Sequence, residues 1–209
     1  MPNVKQLTLA NEVFHRLMRY GGQHEMATRL VASAAFQVGF ARIAAGMAAW
    51  SREPAGHAEM QARLSDEQFD VLMLAPVDAA ARTAMTCMDL CAAAAYRLAG
   101  AAALSHNRES DVQSLLQGVK QKKIILAASQ DAWIHTLVGS ADWQLLEKIR
   151  TAVTHRAMES RSILGVGPAV TSLIADGKSH DNVDLCRRFA RLAEMRFEDF
   201  TAAVLRDFP

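Results

Sequence analysis

The sequence predicts an all-α fold, a single-domain bundle of about eight helices, several of them long. Three observations carry that prediction. Alanine is abundant while aromatic residues make up only 6% of the chain, which suits helices packed through small side chains better than sheets, built as those are from Val, Ile, Thr and Tyr. Apolar residues recur at three- and four-residue spacing in segment after segment, and no stretch reads convincingly as a strand. Capping residues, glycines and prolines punctuate these segments at helix-length intervals. A chain of 209 residues with 51% hydrophobic content can bury one sizeable core. Residues 1–209 therefore read as one domain, with helices over 8–75 and a last helix over 181–206 packed on a part spanning about 76–165.

Each element has a local justification. Thr8 reads as the N-cap of a first helix in which Val13, Leu17 and Tyr20 repeat at helical spacing, and Gly21-Gly22 ends it. His24 to Trp50 reads as one long alanine-rich helix, apolar nearly all round and hence central. Gly39 and Gly46 cost that helix stability and are expected to admit a close neighbour. Ser51 to Gly56, with Pro54, is a break, and Ser65 with Gln68 forms a capping box for a short helix. Pro76 fits the first turn of the next helix, which should run to about Leu104, roughly 28 residues or ~42 Å. Beyond a polar loop, Ser110 and Gln113 form a second capping box, and that helix is expected to continue through KQKKIILAASQDAWIHTLV to Gly139. Ser140 caps a helix over Asp142–Arg161 whose Trp143, Leu146, Ile149 and Val153 form a stripe that buries one face. LGVGP is the next break, and a short helix from Pro168 ends near Gly177. Asp181 caps the last helix, anchored by Leu185, Phe189, Leu192, Phe197 and Phe200.

Charge and cysteine usage narrow the function classes. Lys and Arg number 23 against 22 Asp and Glu, a formal net charge of +1, so no strong global field steers the chain to nucleic acid or acidic lipid. Cys87, Cys91 and Cys186 are odd in number and lack a framework of spacings, as reduced cytosolic thiols do, and they read as small core hydrophobes. No metal site and no cofactor is predicted. Glu12-x-x-His15 is a single motif where carboxylate-bridged metal bundles need two, and it reads as a solvated face. Asp131 and His135, one helical turn apart, read as local helix support. The run Lys120-Gln-Lys-Lys123 reads as a solvated face, Trp50, Trp133 and Trp143 as core or interface anchors, and the methionines as core filler. The N-terminus lacks a basic-then-apolar leader pattern, and no apolar run is read as long and charge-free enough to span a bilayer. The expected location is the cytoplasm, without a membrane partner.

The chemistry-bearing motif is Arg150-x4-His155, followed at once by Arg156, inside LEKIRTAVTHR. The same spacing occurs at Arg19–His24, across Gly21-Gly22, and at Arg52–His57, across Pro54 and Gly56, so only the third match lies on an unbroken helical segment. The long helix before it carries an internal acid, Asp89, in AMTCMDLCAAAAYRLAG. This order resembles HEPN-type all-helical domains, whose signature is Arg, four to six residues, then His on a late helix. The resemblance covers roughly Pro76 to Gly165. It implies a homodimer in which the motif helices of two protomers face each other, and it implies metal-independent RNA cleavage in active members, RNA binding or neither in others. Thr151 stands where active members often carry an amide or acid.

The residue types suit that chemistry. A guanidinium holds a phosphate oxygen pair by two parallel hydrogen bonds. An imidazole takes a proton from a ribose 2′-hydroxyl, or gives one to the leaving oxygen, near neutral pH. Five helical residues turn about 140°, so Arg150 and His155 would flank a groove or be completed by the second protomer. In this reading Arg150 binds phosphate, His155 is the acid or base, and Arg156, Asp89 and Thr151 support them. For Asp89 the plainer expectation is pairing with a buried arginine. The alternative function is a non-catalytic helical protein that works by self-association or by binding a protein partner.

Overall fold

In the computed structural model of the chain, residues 4–100, 111–155, 172–175 and 178–209 are described, with their side chains except those of 66–67, 69–73, 150–155 and 172–175. The fold is all-α. In chain order the helices are α1 (Val4–Met18), a 3-10 turn (Gly22–His24), α2 (Glu25–Arg52), α3 (Pro54–Arg63), α4 (Asp66–Leu98), α5 (Val112–Lys120), α6 (Ala128–Val138), α7 (Ala141–His155) and α8 (Asn182–Asp207). A two-stranded antiparallel hairpin, β1 (Ser172–Ala175) and β2 (Lys178–Asp181), precedes α8, with Ala175 paired to Lys178.

Several expected boundaries move, each for a local reason. Helix α1 starts at Val4, and Thr8 lies inside it with its hydroxyl donating to the Val4 carbonyl at 2.8 Å. This bond to the fourth residue back lets threonine sit mid-helix. The expected break at Ser51–Gly56 shrinks to Glu53, because Pro54 opens α3 at a position where its missing N–H costs nothing. The capping box at Ser65 is present: the Ser65 N–H donates to Gln68 Oε1 at 3.1 Å and the Gln68 N–H to Ser65 Oγ at 3.4 Å. The helix it starts does not stop for Pro76, which lies inside α4. The local penalty of about 3 kcal/mol is offset by a strong helix-forming run and by the burial of Val77, Ala80, Ala81 and Ala84. That helix ends at Leu98, short of the expected Leu104, where Gly100 takes a left-handed φ of 71°.

The expected continuous helix to Gly139 is two helices. At the end of α5 the Lys123 N–H donates to the Gly118 carbonyl and the Lys122 N–H to Val119, both at 2.9 Å, while Lys122 takes φ 56°. This is a Schellman stop with lysine where glycine is usual. Ile124, 6% exposed, packs over Gly118, whose added Cβ would lie 2.2 Å from Ile124 Cδ1. The N-cap of α5 is Asp111, which accepts from the Ser114 N–H at 2.6 Å; Ser110 lies outside the described residues. Strand β1 occupies part of the segment expected to be a helix ending near Gly177. Asp176-Gly177, the dipeptide between the paired Ala175 and Lys178, is the pair that two-residue hairpin loops favour. The LGVGP break lies outside the described residues.

The chain gathers into two compact units, to both of which α2, α4 and α8 contribute. The first comprises residues 1–39, 85–140 and 193–209. Its buried set includes Val13, Leu17, Met88, Leu115, Ile134, Leu137, Phe197 and Phe200. Gln6 on α1 is fully buried and donates to Glu198 on α8 at 2.8 Å, next to the Lys5–Glu198 ion pair at 2.7 Å. Trp133 donates its indole N–H to the Arg196 carbonyl at 2.9 Å and lies 4.8 Å, centroid to centroid, from Phe200. No side chain from its own turn caps α6. The Asp207 carboxylate does so instead, accepting from the backbone N–H groups of Ser129 and Gln130 at 3.3 Å each and from the Gln130 side chain at 3.2 Å.

The second unit comprises residues 40–84 and 141–192. Its buried set includes Ala41, Ala44, Ala48, Met60, Val77, Ala84, Trp143, Leu146, Ile149, Leu185 and Phe189. Asp181 caps α8 as expected, accepting from the N–H groups of Val183 at 2.8 Å and Asp184 at 3.1 Å. Gly46 is exposed and no described atom of the chain lies within 4 Å of an added Cβ there, whereas at Gly56 an added Cβ would lie 2.3 Å from the Trp50 carbonyl oxygen. The stretch Gly22–Arg52 is, by length and composition, apolar enough to cross a membrane, which corrects the expectation that no such run exists. Val31, Ala34, Ala35, Val38, Ala41, Ala44 and Ala48 bury one side of it within the protein.

Candidate functional site

Helix α7 carries the motif. It runs unbroken from Ala141 to His155, so Arg150, Thr151 and His155 share one helix, as their spacing requires. Trp143, Leu146 and Ile149 are at most 1% exposed and fix which face turns inward. The side chains of Arg150, Thr151, Val153 and His155 lie outside the described set, as does Arg156 altogether. Asp142 sits in the first turn of α7, where a negative charge favours the helix dipole. It accepts from Arg188 of α8 at 3.0 Å (Nε) and 2.5 Å (Nη2). Both side chains are 41% exposed, so the pair contributes at most about 1 kcal/mol and serves mainly to register the two helices.

Beside this pair lies a groove of about 420 Å³ lined by Ser179, His180 and Asp181 of β2 and by Asp184, Arg187, Arg188 and Arg191 of α8. The charged helical contributors follow the i, i+3, i+4, i+7 spacing of one face, and the buried Leu185 beside them also lines the groove. Three arginines against two aspartates leave the groove one net positive charge with His180 neutral. Arg188 is committed to Asp142, and Arg187 stands 3.8 Å from Asp184. Asp181 caps α8 and also pairs with Arg52 of α2. Arg191 is exposed and has no ion-pair partner among the described residues. Strand β1 touches α7 while its partner β2 lines the groove, so the hairpin links the motif helix to this basic surface.

Asp89, the other predicted support residue, belongs to the first unit. It is half-buried on α4, and its Oδ1 accepts the Val112 N–H at 3.2 Å, which places one of its oxygens at the start of α5. This capping contact was not anticipated from the sequence. The flanking thiols are buried with it. Burial, and then a hydrogen bond with Cys87, raise the Cys91 thiol well above its ordinary range. Cys186, in the second unit, is pushed up to about 12 by burial and then by the nearby Asp181 charge. Neither is poised as a nucleophile. Among the described residues, no group of three or more His, Cys, Asp or Glu side chains could hold a metal ion. Glu12 and His15 are exposed, as are Lys120, Lys122 and Lys123, and Asp131 stands 3.8 Å from His135 on the surface of α6.

The arginine groove was not anticipated from sequence. Its signal was there, in Arg187, Arg188 and Arg191 recurring at helical spacing on a helix that buries Phe189 and Leu192. Comparison with protein-family models, curated proteins and solved structures found no match to the chain.

Proposed function

We infer that the protein is an RNA-directed helical module of HEPN type that acts as a homodimer and cleaves single-stranded RNA without a metal. The observation that supports this reading is the arginine-lined groove, joined through the hairpin to an unbroken helix bearing Arg150 and His155. In this mechanism Arg191 and its neighbours hold the backbone phosphates as a positioning surface. Arg150 holds the oxygens of the scissile phosphate and offsets the charge that grows on them. His155 takes the proton of the adjacent 2′-hydroxyl as that oxygen attacks phosphorus, and the bond to the 5′-oxygen breaks. The leaving oxygen receives a proton from an imidazolium, which the second protomer supplies.

The test is incubation of labelled single-stranded RNA with the protein in the presence of a chelator. Cleavage by the parent, reduced ~10²-fold or more in His155→Ala and Arg150→Ala, is the expected outcome. Arg191→Ala should weaken binding and lower the salt slope by about one. Absence of both cleavage and salt-dependent binding removes the reading. A second reading, a non-catalytic protein that works by self-association, is favoured by the exposed apolar side chains of α2.

A further inference from the structure

The outer face of α2 carries large apolar side chains that are exposed among the described residues. Phe40, Ile43, Met47 and Trp50, all in the second unit, are 52%, 45%, 51% and 44% exposed. Their steps of three, four and three residues follow the 3.5-residue period of a helix-pairing seam, and Phe36, four residues earlier on the same helix, is 49% exposed and continues it. Helix α2 buries its opposite side in small residues, Ala41, Ala44 and Ala48. Thus the small side chains face inward and the large ones outward, the reverse of what a solvated helix needs.

We propose that this stripe is the surface through which two copies of the chain pair, α2 against α2. Three observations select a second copy over other occupants. The first is the seam period, which fits another helix. The second is area. Aromatic side chains carry ~200 Å² each, so half-exposed Phe36, Phe40 and Trp50, with Ile43 and Met47, offer on the order of 500 Å² per copy. A two-fold pair would cover ~1,000 Å², the lower bound for a specific interface. The third is charge: at a net +1, two copies meet almost without mutual repulsion. Gly46 lies between these anchors with nothing within 4 Å of an added Cβ, so its cost to the helix is unexplained within one copy and is accounted for by a partner backbone drawing close. Trp50 is already held on one side, its ring packed against Gly56, and serves as a pre-organised anchor.

The proposal deepens the self-association reading and does not draw on RNA cleavage, whose second imidazolium would need the motif helices of two protomers to face each other. It places the interface on α2, whereas the HEPN resemblance would place it on α7. Sedimentation equilibrium of the full chain between ~1 and ~100 µM should show a monomer–dimer equilibrium. Ile43→Glu and Met47→Glu should each weaken the dimer at least ~10-fold while leaving the circular dichroism melt of the monomer unchanged. Should either variant fail to fold, the parent alone still decides. Trp133 and Trp143 are 4% and 1% exposed, so acrylamide-quenchable emission comes from Trp50 and must fall as the dimer fills. A monomer throughout the range overturns the proposal. So does a dimer with undiminished Trp50 quenching, or one unaffected by folded α2 variants, in which case self-association stands but its surface lies elsewhere. Flotation of a monomer with phosphatidylcholine–phosphatidylserine vesicles, without dimer formation, would assign the stripe to a membrane and overturn it as well.

Discussion

Replacing Gly56 with alanine puts a methyl group where the fold has no room for one. The new Cβ would lie 2.3 Å from the Trp50 carbonyl oxygen and 2.9 and 3.0 Å from two atoms of the indole ring. Favourable non-bonded separations begin at roughly 3.5 Å, so something must move by about 1 Å. The indole can tilt away, but the carbonyl cannot do so freely, because it accepts the Glu53 N–H at 3.0 Å in the turn that leads into α3. Overpacking of this kind costs about 1–3 kcal/mol, and weakening that hydrogen bond adds about 0.5–1.5 kcal/mol. Alanine's better helix propensity returns at most about 1 kcal/mol. The net expectation is a loss of about 1–3 kcal/mol, or ~3–10 °C in Tm for a chain of this size. Thermal unfolding followed at 222 nm, with urea midpoints alongside, measures it. A Gly56→Ala variant as stable as the parent would refute the claim that α3 and the end of α2 are in backbone contact.

Two further outcomes follow from the buried polar network and the thiols. Asp207→Ala should cost about 1–2 kcal/mol by uncapping α6, and amide exchange at Ser129 and Gln130 should accelerate before the rest of that helix; unchanged protection there would count against the cap. The raised thiols of Cys91 and Cys186 should make stability fall with rising pH. Cys186 has an ordinary value of 9.0 raised to about 12 in the fold, so the unfolded chain loses the proton first. Its contribution is whole below about pH 9 and declines by about 1.4 kcal/mol per pH unit as the pH climbs toward 12. Urea midpoints at pH 7, 9 and 10.5 test this, and Cys186→Ala should flatten the decline; an equal slope in both proteins contradicts it.

Features written in a few adjacent residues were legible in the sequence. The Ser65–Gln68 box, the Asp181 cap, the stripe of Trp143, Leu146 and Ile149, and the extent of α2 all depend on neighbours within two helical turns. What escaped depends on distance or on a choice between local rules. Pro76 obeys a first-turn rule that the burial of the following turn outweighs. Lys122 takes a left-handed conformation that composition assigns to glycine. Asp207 caps a helix that begins 79 residues before it, and nothing near Ala128 announces that. The Asp-Gly dipeptide before Lys178 was readable as a turn signal, but the strands on either side are four residues each and lie between longer helical signals. For the candidate site, the helix under Arg150 and His155 was legible and the arginine groove beside it was not, because that groove is assembled from α8 and a hairpin the helical reading did not contain.

The contact between α1 and α8 also sets an order of events during synthesis. Gln6 and Lys5 find their partner in Glu198, more than 190 residues later in the chain. Leaving the ribosome at ≈ 5–20 residues per second, α1 would wait roughly ten seconds or more for that partner. Throughout that interval a buried glutamine and its apolar neighbours Val13 and Leu17 have no finished core to enter. The first residues made are thus among the last to be secured, and the nascent chain presents a sticky amphipathic helix to whatever holds unfinished polypeptides in the meantime.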